Sequence, residues 1–136
     1  MKRIKSKAEM SHFQSFVRFV EDALESIDVP QKYIFSLMTV TEEIIVNIIH
    51  YAYKKESGDL EIDFENDGKI VRFTFKDNGI PFNPLEKSDV NTNLQAHERE
   101  IGGLGIHMIK SMTDHIDYTY EKGQNVFIIE KNVSKD

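Results

Sequence analysis

Apolar positions along the first fifty residues recur with a helical period. Phe13, Phe16, Val17, Val20 and Leu24 fall at three- and four-residue steps, which predicts a helix over 11–27 with Ser11 as its N-cap. Pro30 suits the first position of a second helix, which would run through Ile34, Leu37 and Met38 to Tyr53. Lys54 and Lys55 then match the negative end of its dipole. Beyond Gly58 the period drops to two. Leu60, Ile62 and Phe64 alternate with acidic residues, and Val71, Phe73 and Phe75 alternate with Arg72, Thr74 and Lys76. Asn66-Asp67-Gly68 lies between them, so the pattern predicts a β-hairpin with one wet face. Residues 78–101 hold no sustained period and include two prolines, the composition of a functional loop. A short apolar helix through Ile106, Ile109 and Met112 follows, then strands over 116–120 and 125–130 joined by Glu121-Lys122-Gly123-Gln124. Residues 131–136 read as a frayed tail.

Helices, hairpin, long loop, helix and hairpin in that order imply an α+β two-layer sandwich. Helices would cover one face of a mainly antiparallel mixed sheet. At 136 residues the expectation is a single domain over 1–136. Composition narrows the function. A net charge of −6 without a basic cluster argues against a nucleic-acid reader. The absence of cysteine removes disulfides, thiolate zinc sites and a cysteine nucleophile. No uninterrupted apolar run approaches a membrane span, so the expectation is a cytoplasmic protein without membrane partners.

Three short segments carry candidate chemistry. Glu43, Asn47 and His50, at offsets of four and seven, share one stripe of an otherwise apolar helix. A polar stripe there must meet water, a partner group or a ligand. Asp77-Asn78-Gly79 ends a strand, where a carboxylate can accept a hydrogen bond from an exocyclic amine while a glycine lets a ligand approach. Gly102-Gly103-Leu104-Gly105 leads into a helix, whose free N–H groups suit phosphate oxygens. Each segment alone has an ordinary explanation, respectively a solvated helix edge, a turn and a glycine-rich connection.

Together and in this order they resemble the N, G1 and G2 boxes of the GHKL (Bergerat-fold) ATPases, in particular the anti-sigma-factor serine kinases. The stretches Thr41–Tyr53, Asp77–Leu85 and Ile101–Ile106 carry that resemblance. It implies the cofactors ATP and Mg²⁺, with Asn47 on the metal, Asp77 on the adenine amine and Gly79 giving the base room. Gly103, Leu104 and Gly105 would surround the phosphates, and a nucleotide lid would span about 84–101, with Arg99 reaching from it. Glu43 would be the general base toward a seryl or threonyl hydroxyl. The implied partners are a STAS-type anti-anti-sigma protein, a sigma factor and a second copy of the chain. The alternative is an ATP-sensing module without phosphotransfer, and a third reading makes all three segments structural. The five histidines lack metal-binding spacing, so no protein-ligated zinc is expected.

Overall fold

A computed structural model describes residues 1–53, 57–83 and 104–134. Within them, five strands and three helices form an α+β two-layer fold: β1 (Lys2–Lys7), α1 (Phe13–Glu25), α2 (Gln31–Tyr51), β2 (Asp59–Asn66), β3 (Ile70–Asp77), α3 (Leu104–Met112), β4 (His115–Glu121) and β5 (Gln124–Asn132). Among the described residues the sheet order is β1-β2-β3-β5-β4 and every pairing is antiparallel, in keeping with the mainly antiparallel sheet expected from sequence.

The two-residue period does what it predicts. Leu60, Ile62 and Phe64 of β2 face Val71, Phe73 and Phe75 of β3 and Phe127 and Ile129 of β5 on one side of the sheet. Phe16, Val20 and Leu24 of α1, Leu37, Val40, Ile44 and Ile45 of α2, and Ile109 of α3 close over that side. The opposite face is charged. Arg3, Glu61, Asp63, Lys76, Arg72 and Glu130 form ion pairs across adjacent strands there.

Turn chemistry sets the hairpins. In the β2–β3 connection Asp67 Oδ1 accepts from Lys69 N and Ile70 N at 3.0 and 2.8 Å, while Gly68 takes φ +97°. The two residues between β4 and β5, Lys122 and Gly123, both have positive φ, the signature of a turn whose twist matches the flanking strands.

Several expected boundaries shift. β1 is a strand that the apolar pattern misses, because Ile4 is its one large apolar side chain. Ser11 lies in a short 3-10 turn, Met10–His12, and His12 takes the N-cap position of α1. Pro30 is the N-cap of α2 rather than its first residue. β5 continues to Asn132 and Val133 is buried, so the frayed tail does not begin at Lys131. Lys54, Lys55 and the expected lid over 84–101 lie outside the described residues. By length and composition α2 could cross a membrane. In this fold its residues Leu37, Val40, Ile44 and Ile45 are buried in the core, while Phe35 is exposed.

Candidate functional site

Asp77 ends β3 on the same side of the sheet as the core phenylalanines, because it lies two residues past Phe75 in the pleat. There it meets α2. The carbonyl of Ala52, just past the end of that helix, accepts from Ile80 N at 3.0 Å. Tyr53 Oη donates to the Asp59 carbonyl and accepts from Asn78 N, both at 2.7 Å. A cavity of about 520 Å³, including its open mouth, lies between α2, the end of β3, α3 and the β4–β5 hairpin. Its wall is mostly apolar, with Ile44, Ile48, Tyr51, Ile80, Phe82, Ile109 and Phe127. Asn47, Asp77, Tyr118 and Asn125 supply convergent polar groups, the constitution of a small-molecule site. Tyr51 and Phe82 stack within this wall, their planes 5° apart and their centroids 6.3 Å apart.

Asp77 is 5% exposed, and its Oδ1 accepts from Gly79 N and Asn125 Nδ2, each at 2.9 Å. Burial pushes its carboxyl above the ordinary aspartate range, while the Asn125 and Gly79 donors oppose that rise. Asn47 donates from Nδ2 to Glu43 Oε1 at 3.5 Å, one helical turn away. That orientation leaves Oδ1 as the acceptor of a residue that lines the cavity. Burial raises the Glu43 carboxyl above its usual value, with the Asn47 amide pulling the other way.

The sequence-derived candidates are therefore distributed unevenly. Asn47 and Asp77 share one cavity, α3 adds Ile109 to its wall, and Glu43 touches Asn47 from the next turn. Leu104 and Gly105 open α3. Gly103 and Arg99 lie outside the described residues. His50 is exposed and is not among the cavity residues. Gly79 has a packing reason of its own: a Cβ there would lie 2.2 Å from the Ala52 carbonyl oxygen. Asn125 and Tyr118 escaped sequence reasoning. They sit in ordinary strand patterns, and only the pairing of β3 with β5 sets Asn125 opposite Asp77. Among the described residues no cluster of three or more His, Asp or Glu could hold a metal unaided. A hard cation here would need oxygens brought by a ligand, and the Asn47 oxygen suits Mg²⁺, which takes few protein ligands.

The chain belongs to the histidine kinase-like ATPase domain family, whose model matches residues 6–131. It is 29% identical over 90 residues to a serine-protein kinase, RsbW, of Bacillus mycoides; the match covers 63% of this chain and 56% of the relative, little more than half of its length. Among solved structures, the RsbU and RsbW domains of a Mycobacterium tuberculosis protein superpose with a TM-score of 0.65 at 12% identity, covering 100% of this chain and 34% of that one. The SiaB–SiaC complex from Pseudomonas aeruginosa gives 0.60 at 12% identity, covering 96% and 89%. The two structures share the fold with this chain.

Proposed function

We propose that the protein is an ATP-binding anti-sigma regulator that phosphorylates a STAS-type anti-anti-sigma partner on serine or threonine and otherwise sequesters a sigma factor. The observation that carries this reading is the meeting of Asn47 and Asp77 in one cavity, with Glu43 hydrogen-bonded to Asn47. Asp77 accepts the adenine amine, and the apolar wall holds the ring. Asn47 would hold a Mg²⁺ through its side-chain oxygen, and the ion would supply charge neutralisation for the phosphates. Gly103, Leu104, Gly105 and Arg99 serve the phosphates from the second glycine segment and the lid over 84–101.

Glu43 lies outside the base-binding wall and on the Asn47 side, which suits a group that meets the incoming hydroxyl rather than the adenine. Its raised proton affinity favours proton uptake. The seryl oxygen bonds to the γ-phosphorus as its proton passes to Glu43, and the bond from that phosphorus to the β–γ bridging oxygen breaks, releasing ADP. The new phosphate carries a charge of roughly −2, which breaks the partner complex and frees the kinase for the sigma factor. The reading includes a single domain, a homodimer and a cytoplasmic location.

The test incubates the chain with Mg-ATP and a STAS-type partner and follows the gain of phosphate by mass spectrometry. Glu43→Gln is expected to keep ADP affinity within about threefold while transfer falls by roughly 10²–10⁴. Transfer at the wild-type rate removes Glu43 from the mechanism. Tight Mg-ATP binding with no phosphorylated partner makes the chain a nucleotide-sensing module.

A further inference from the structure

Asn125 begins the stretch of β5 that pairs with β3 and is 5% exposed. Its side chain is fully engaged. Nδ2 donates to Asp77 Oδ1 at 2.9 Å and to the Ile80 carbonyl at 2.8 Å. Oδ1 accepts from Phe82 N at 3.1 Å and from the Tyr118 hydroxyl. Reversing the amide would set its oxygen against a carboxylate and a carbonyl, so the four contacts define its orientation. Asn125 lines the cavity, yet it has no donor or acceptor left for a ligand. Any effect it has on a ligand passes through Asp77 and the 80–82 turn.

That route has a chemical consequence. Both hydrogen bonds that the described residues make to the Asp77 carboxylate end on Oδ1, leaving Oδ2 for a ligand. An ionised carboxylate only accepts, so it pairs with an exocyclic amine and repels a ring carbonyl. A protonated one donates and pairs with the carbonyl instead. We propose that Asn125 is the positioning residue that makes the site select a 6-amino purine over a 6-oxo purine, by holding Asp77 as an acceptor with Oδ2 turned to the base. The inference rests on the nucleotide reading above and adds to it a residue that does not touch the base. Among the described residues the phenol of Tyr53, from the end of α2, interacts with Asp77, and the phenol of Tyr118, from β4, donates to Asn125. No charged side chain contributes to its shift, which leaves Asn125 and Gly79 N as the groups that favour the carboxylate.

Calorimetric titration of the full chain with Mg-ADP and Mg-IDP, at pH 6 and pH 8, tests this. Wild type is expected to prefer ADP by tenfold or more at both values. In Asn125→Leu the preference falls below threefold. Asn125→Asp is a second variant whose Oδ1 still accepts from Phe82 N and Tyr118 while both donors, to Asp77 and to the Ile80 carbonyl, are lost. Circular dichroism and the thermal midpoint establish which of the two variants is folded, and the comparison is made on that one. At pH 6 a proton shared by the two carboxylates replaces the lost N–H and restores ADP preference; at pH 8 their repulsion reduces ADP affinity by tenfold or more. A wild-type preference retained in the folded variant, or an equal loss of ADP and IDP affinity with no pH dependence, overturns the role and leaves the nucleotide reading standing. If wild type binds neither nucleotide, the nucleotide reading falls and this inference with it.

Discussion

Burial makes the ionised form of Asp77 less favourable in the folded protein than in the unfolded chain, and the Asn125 and Gly79 donors offset part of that cost. Its carboxyl titrates above the ordinary aspartate value, so between the unfolded and folded values the native state binds more protons than the unfolded chain. Stability therefore falls as pH rises through that window. Asp77→Asn keeps an Oδ1 that can accept from Gly79 N and Asn125 Nδ2 while removing the charge. Its unliganded thermal midpoint at pH 7 is expected to equal or exceed that of wild type, while the shift on adding Mg-ADP disappears. In wild type, ligand at a hundred times Kd should add about 2.7 kcal/mol of apparent stability. Scanning fluorimetry with and without nucleotide reads both quantities, and a shift retained in Asp77→Asn counts against its role in binding.

The junction between α2, β2 and β3 carries the geometry of the site. Gly58 and Gly79 are both required by close approach: a Cβ on Gly58 would lie 2.0 Å from the Tyr53 ring, and one on Gly79 would lie 2.2 Å from the backbone of Ala52. The Ala52 carbonyl is held by its bond from Ile80 N, so it has little freedom to retreat. Gly79→Ala is expected to lose about 1–3 kcal/mol in urea unfolding and to weaken ADP binding as the Asp77 turn is displaced. Tyr53→Phe removes the hydroxyl that joins the Asp59 carbonyl to Asn78 N, and about 1–2 kcal/mol should go with it. A Gly79→Ala protein with unchanged midpoint and affinity would show that the junction relaxes freely. The sequence marks Gly79 as a turn residue and a place for a ligand; the contact with Ala52 depends on α2 ending beside that turn.

Across the whole molecule, β1 is tied to the sheet more by charge than by apolar pairing. Arg3 donates from Nε and Nη2 to the two oxygens of Asp63 at 2.6 and 3.1 Å, and Lys76 lies 3.4 Å from the same carboxylate. Asp63 is 4% exposed on the outer face of the sheet. Burial alone would raise its carboxyl, but Arg3 and Lys76 outweigh that and hold it below the ordinary range. The stability it contributes is present above the unfolded aspartate value and is lost as pH falls through the lowered folded value. Arg3→Ala should therefore move the acid-unfolding midpoint to higher pH, which circular dichroism across an acid titration would detect. An unchanged midpoint would mean that Lys76 alone holds Asp63. In the core, Phe73→Ala should cost about 3–5 kcal/mol, because its ring is fully buried between the sheet and the helices.

Local periodicity was enough to reveal both helices of the first half, both hairpins and the side of the sheet that carries the core. It also put Asp77 at a strand end and Glu43 one turn from Asn47, since strand and helix repeats are properties of neighbouring residues; the side of the sheet that Asp77 takes came from the structure. β1 stayed hidden because its cross-strand partners are charges, and a strand stabilised that way has no apolar alternation to read. The sheet order stayed hidden as well: β3 pairs with β5 and bypasses β4, a choice made by packing between distant segments. That pairing alone brings Asn125 across 48 positions to the carboxylate of Asp77. Residue spacing could nominate the ligand-facing groups, but the groups that orient them are selected by contacts that exist only once the sheet has assembled.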